Sequence, residues 1–107
     1  MREVSSHTFA SARADGAVTI DVREPDEYVA GHVPGARLMP MGEVASRLAE
    51  LPRARPVYVI CQSGNRSQAI AHLHVRQGFD ARSVAGGTTA WEALGYPVVR
   101  GAVADVA

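Results

Sequence analysis

The stretch Val57-Tyr58-Val59-Ile60-Cys61 is apolar at every position, and Gln62-Ser63-Gly64-Asn65-Arg66-Ser67 follows it at once. A strand with one wet face alternates apolar and polar side chains. A run without alternation fits a strand covered on both faces, as in a parallel sheet. A strand over Pro56–Cys61 therefore demands helices on either side of it, and the rest of the chain has to supply them.

The pattern elsewhere meets that demand. Ala17–Val22 reads as a second strand, bounded by Asp15-Gly16 and Glu24-Pro25. Shorter strands are predicted at Arg2–Ser5, Arg37–Met39 and Ala81–Val84. Pro25–Ala30 opens with proline and acids, which suit a helix start, and stops at Gly31. Gly42–Leu51 places Val44, Leu48 and Leu51 on one helical face and ends at Pro52. Asn65–Gln77 reads as a helix running to Gly78, with Ala69, Ile70 and Leu73 inward, and Gly87–Leu94 as another ending at Gly95. Strands alternating with helices of this length imply βαβ units and an α/β sandwich. No linker or repeat divides the 107 residues, so one domain over 1–100 is expected, with 101–107 as a frayed tail.

Composition removes several classes of function. Hydrophobic residues make up 47% and charged residues 21%, which suits a globular domain and excludes dominant disorder. No apolar run approaches the ~20 residues of a membrane span. The start Met1-Arg2-Glu3-Val4-Ser5-Ser6 lacks the apolar region of a signal peptide, so a cytoplasmic location is expected. Eleven arginines balance eleven acids, and this neutral total argues against general nucleic-acid binding. There is no lysine for Schiff-base chemistry. A single cysteine excludes an internal disulfide and a cysteine-rich zinc site. His72 and His74 are two apart and point in different directions on a helix, so they make no i, i+4 metal pair. No metal or organic cofactor is expected.

Chemistry concentrates at Cys61. It ends a buried strand, at the edge where open α/β sheets bind ligands. Gly64 permits a positive φ and a close backbone approach. The helix that starts next has N–H groups without intrahelical partners, and these favour an anion. They should lower the thiol pKa below the free value of about 8.5, since the thiolate is the stabilised form. The alternative is a structural cysteine at a strand end, which has no need of the Gly-Asn-Arg-Ser turn.

Four segments in order resemble a single-domain rhodanese, a sulfurtransferase-like module, over roughly Val4 to Arg100. They are Asp21-Val22-Arg23-Glu24-Pro25-Asp26-Glu27-Tyr28, then Gly31-His32-Val33-Pro34-Gly35-Ala36, then Cys61 through Ser67, and last Gly86-Gly87-Thr88-Thr89-Ala90-Trp91 with Gly95-Tyr96-Pro97-Val98. The resemblance implies a three-layer α/β sandwich with a five-stranded, mostly parallel sheet flanked by helices. It also implies sulfur transfer through a Cys61 persulfide, from a small anionic donor such as thiosulfate to cyanide, a thiol or a protein cysteine. On that reading Gln62, Ser63, Gly64, Asn65, Arg66 and Ser67 bind the substrate. The alternative is a persulfide carrier in a protein relay with little turnover of small donors; a non-catalytic regulatory module fits less well. The phosphatases and arsenate reductases that share this fold resemble one another in having five residues between cysteine and arginine. Here Cys61 and Arg66 enclose four.

Other residues carry open alternatives. Asp21 either supports the loop or caps the turn before Pro25. Arg66 either contacts the donor, points outward, or pairs with an acid to fix the loop. Arg23 and Arg37 are expected in structural ion pairs or in solvent. The resemblance marks His32 as architectural, and Trp91 reads as a packing anchor.

Overall fold

A computed structural model describes residues 2–103. In chain order the elements are β1 (Arg2–Val4), α1 (Ser6–Ala14), β2 (Val18–Asp21), α2 (Pro25–Ala30) and β3 (Arg37–Leu38). Two 3₁₀ segments follow at Met41–Ser46 and Leu48–Glu50, then β4 (Val57–Ile60), α3 (Asn65–Arg76), β5 (Ala81–Val84) and α4 (Gly87–Ala93). The strands form one sheet in the order β1-β5-β4-β2-β3, and every pairing in it is parallel.

β4 lies at the centre, and all four of its residues are buried. Val57 and Val59 join Ile20, Ile70, Ala71 and Phe79 in one core cluster, beneath α3. Tyr58 and Ile60 join Phe9 of α1, Val84 and Trp91 of α4 in a second cluster on the other face. Neither set of alternate positions meets water, which is why the run contains no polar residue. Each fully buried valine or isoleucine contributes roughly 1.5–3 kcal/mol.

The strand order also fixes where a site can form. From β2 the chain moves outward to β3, whereas from β4 it moves the other way to β5. The carboxyl ends of β2 and β4 therefore flank a topological switch point, where the connections part and leave a crevice. Asp21 is the register partner of Ile60 there, and the Val22 N–H donates to Ile60 O at 3.0 Å.

Three sequence expectations need correction. The stretch expected as one helix over Gly42–Leu51 is two 3₁₀ segments broken at Arg47, whose φ is −119°. Gly42 and Ser46 are weak helix formers, and a 3₁₀ turn covers more length per residue than an α-turn. Val44 and Leu51 still reach the core, with Leu48 packed partly against it. Helix α1 has no counterpart among the expected elements. Its inward face buries only Ser6 and Phe9, with the small Ala10 and Ala12 packed partly beside them, too little for a periodic signal. The usable cue is Ser5, whose hydroxyl oxygen caps the helix by accepting the Thr8 N–H at 3.1 Å. On α3, Ala69 is exposed, and the inward positions are Ser67, Ile70, Ala71 and His74.

Past β5 the chain closes over the other helical face. Trp91 donates its indole N–H to Pro97 O at 2.7 Å and stacks on Tyr96. His32 is buried and stacked on Tyr28, and its ring nitrogens lie 2.8 Å from Tyr28 O and 2.9 Å from Val103 O. The Gly101 N–H donates to Val29 O. Of the expected tail at 101–107, residues 104–107 lie outside the described residues.

His74 is fully buried against Phe79, and neither ring nitrogen has a protein hydrogen-bond partner. Burial pushes its pKa below the usual value near 6.5, so the folded chain keeps the ring neutral. The unfolded chain takes up a proton as pH falls through about 6.5, and stability is lost from there downward. His74→Leu is expected to stabilise the fold by about 1–3 kcal/mol. It should also flatten the decline between about pH 7 and pH 5, read as Tm against pH. An unchanged slope would show that this ring does not set acid stability.

Candidate active site

The loop after β4 turns back on Cys61. Gly64 is the N-cap of α3 with φ +107°, a left-handed conformation that side chains resist. It carries no side chain to cap the helix, so the first N–H groups of α3 are left for another acceptor. The Gly64 N–H donates to Cys61 Sγ at 3.1 Å, and Ser67 Oγ lies 3.4 Å from the same sulfur. Cys61 is only 1% exposed. Burial pushes its thiol pKa up, but the Ser67 hydroxyl and the N–H groups of Ser67, Gly64 and Ser63 outweigh it, and the net shift is downward.

An N–H-lined cup needs the loop carbonyls turned elsewhere, and the start of α4 holds them. Thr88 donates both its N–H (2.8 Å) and its hydroxyl (3.0 Å) to Cys61 O, and the Thr89 N–H donates to Gln62 O at 3.0 Å. So close an approach requires glycine. A Cβ on Gly87 would strike Cys61 O and come within 2.7 Å of the Gln62 carbonyl, and its φ is +57°.

Asp21 and Arg23 brace the loop from the β2 side. Both are buried, and the Arg23 Nε–H and Nη2–H groups fork onto the two Asp21 oxygens at 2.8–3.1 Å. Arg23 also donates to Gly31 O (2.8 Å) and to Gln62 Oε1 (2.9 Å), while Gln62 Nε2 donates to Thr89 Oγ1 at 2.7 Å. Gln62 is thereby a strut between the two flanks of the site. Arg66 is drawn sideways into a bidentate pair with Glu27 of α2, at 2.7 and 2.8 Å. That hydrogen-bonded guanidinium pulls the Glu27 carboxyl down to about 2, so the pair persists at any working pH. Of the open roles for Arg66, this arrangement is the pairing with an acid.

Ser63 and Asn65 are exposed on the rim. Arg37 lies away from the site, paired with Glu50 on the surface. His72 is exposed and His74 lies within the core. The sequence reading did not single out Glu27, Ser83, Thr88 or Thr89. Glu27 lies in a resembling segment, but no spacing ties it to Arg66. Ser83 is buried in β5 with its hydroxyl 2.8 Å from Ser67 Oγ.

A buried lone cysteine in a backbone N–H cup, at the switch point of a five-stranded parallel sheet, defines a thiol-centred α/β domain. The chain belongs to the Rhodanese-like domain family, whose model matches residues 5–94. It is 36% identical over 97 residues to a thiosulfate sulfurtransferase GlpE of Pseudomonas entomophila, covering 90% of this chain and 88% of the relative. A sulfurtransferase of Allochromatium vinosum is 35% identical over 103 residues, covering 92% and 95%. Among solved structures, a rhodanese-related protein from Thermoplasma volcanium superposes with a TM-score of 0.87 at 30% identity, covering 92% and 98%.

Gly87→Ala is expected to destabilise the fold by more than about 2 kcal/mol, combining a left-handed alanine with a backbone clash. It should also slow alkylation of Cys61 in the folded protein. Gly35→Ala is the control: φ is +86° there but the space is open, so only the conformational cost of about 1–2 kcal/mol applies. Equal effects in denaturant titrations would contradict the clash. Asp21→Ala leaves the Arg23 guanidinium buried and unpaired, with an expected loss of about 3–5 kcal/mol in the same titration.

Proposed function

We propose that the protein is a cytoplasmic sulfurtransferase that carries sulfane sulfur on Cys61. The observation that supports this best is the set of donors on one buried sulfur: the Gly64 N–H and the Ser67 hydroxyl meet it, while the carbonyls of Cys61 and Gln62 are bound to α4. Such a cup favours the thiolate and suits a second sulfur anion attached to it. The thiolate attacks the outer sulfur of a thiosulfate-like donor. A new S–S bond forms, the donor's S–S bond breaks, and sulfite leaves with the electron pair. The persulfide then gives its outer sulfur to cyanide, a small thiol or a protein cysteine, which regenerates the thiolate. Dividing the transfer in this way predicts ping-pong kinetics.

In this reading the backbone of Gln62, Ser63, Gly64, Asn65, Arg66 and Ser67 holds the bound sulfur, and Asp21 acts through Arg23 and Gln62 to keep the loop in place. Residues 1–100 work as one domain. Among the described residues no helix is long and apolar enough to cross a membrane. A reducing cytoplasm keeps a lone thiol available. The charge of Arg66 is already matched by Glu27, which leaves the donor to be held mainly by N–H groups.

Intact mass after incubation with thiosulfate tests the reading, with mercaptopyruvate and no-donor controls. A gain of one sulfur is expected, and Cys61→Ser is expected to fold normally without gaining it. Retained sulfur transfer by Cys61→Ser would remove the proposal. A folded protein with a titratable thiol that gains no sulfur from either donor would favour loading by a partner protein.

A further inference from the structure

Ser67 Oγ has three neighbours: Ser83 Oγ at 2.8 Å, Gly64 O at 3.1 Å and Cys61 Sγ at 3.4 Å. Ser67 has one proton to donate. A carbonyl only accepts, and a thiolate only accepts. Ser83 is fully buried in β5, and among the described residues its hydroxyl makes no hydrogen bond except to Ser67. Were Ser67 to donate to Ser83, the Ser83 proton would be stranded in the core and the sulfur would lose its hydroxyl donor. The arrangement that satisfies every group has Ser83 donating to Ser67.

We propose that Ser83 is a positioning residue for the nucleophile: its hydroxyl donates to Ser67 Oγ and commits the Ser67 proton to the Cys61 sulfur. The inference rests on Cys61 as the reacting thiol. With the thiol protonated, S–H donates to Ser67 Oγ, and the Ser67 proton points at Gly64 O. When the thiol loses its proton to solvent, the Ser67 O–H rotates from Gly64 O to the sulfur. The abandoned carbonyl is still met by the Gln68 N–H at 3.3 Å. Ser83 donates in both states, so nothing else has to move. A hydroxyl that accepts a hydrogen bond is also a stronger donor, so Ser83 strengthens the bond that holds the thiolate.

Ser83→Ala removes one oxygen from β5 and leaves the charged groups around the cup in place. These are Arg66 of α3 with Glu27 of α2, and Arg23 with Asp21 at the end of β2. The readout is the rate of Cys61 alkylation by iodoacetamide against pH. Ser83→Ala is expected to move the midpoint upward, with alkylation about two- to fourfold slower below it, while the high-pH plateau stays unchanged. Ser83→Thr retains the hydroxyl and is expected to keep the wild-type midpoint. In a Ser67→Ala background Ser83→Ala should have no further effect, because its path to the sulfur is gone. An unshifted profile, or the same shift without Ser67, would overturn the inference. Sulfur loading from thiosulfate is measured in parallel on the wild type. Failure to load, with the alkylation shift intact, would overturn direct loading by thiosulfate and leave the role of Ser83 standing.

Discussion

The hydrogen bonds from Thr88 and Thr89 to the carbonyls of Cys61 and Gln62 are the constraint on which the rest of the site depends. A tight turn presents N–H groups and carbonyls in similar number, and a cup open to both would attract no anion. Here the carbonyls are claimed by the first donors of α4, themselves orphans of a helix start. Two helix N-termini are thus used against one loop. That of α3 stays free for the sulfur, and that of α4 holds the loop backbone. Glycines at 64 and 87 follow from this contact, since a Cβ on Gly87 would strike Cys61 O and one on Gly64 would sit 3.2 Å from the Gly86 nitrogen.

The central features were legible in the sequence because each is local. An all-apolar run announces a doubly covered strand, and β4 contributes to a core cluster on each face. Gly64 between Cys61 and a helical stretch announces the turn. What escaped was non-local or carried by few residues. Helix α1 buries a single large side chain, so its periodicity is too faint to read. The 41–51 segment has helical spacing but a 3₁₀ backbone broken at Arg47, because spacing records which side chains face inward and not how tightly the backbone is wound. Glu27 meets Arg66 across 39 positions, and Ser83 meets Ser67 across 16. No spacing rule reaches that far.

Charge around the site is arranged to cancel. Asp21 neutralises Arg23 in full burial, and Glu27 neutralises Arg66 at the rim. A buried pair is a poor source of net stability, since desolvation offsets much of the attraction. The Asp21–Arg23 pair does something a hydrophobic pair cannot. Its guanidinium has donors left over for Gly31 O and Gln62 Oε1, so the end of β2, the start of the next turn and the active-site loop are held to one rigid centre. Arg66 likewise fixes the first turn of α3 to α2.

With the arginines matched, stabilisation of an anionic sulfur falls to dipoles: backbone N–H groups and one hydroxyl. This suits a centre that must accept sulfur and then release it. A free guanidinium a few ångströms from a persulfide would hold the anion strongly in a low-dielectric site and would deepen the intermediate as much as the transition state on either side. Neutral donors in fixed positions stabilise charge less, and on the proposed reading they would serve the thiolate and a persulfide alike. The lone thiol completes the argument. On the proposed persulfide reading, the chain has no second cysteine to form a disulfide and discharge Cys61 internally, so the sulfur would leave to an acceptor that approaches from outside.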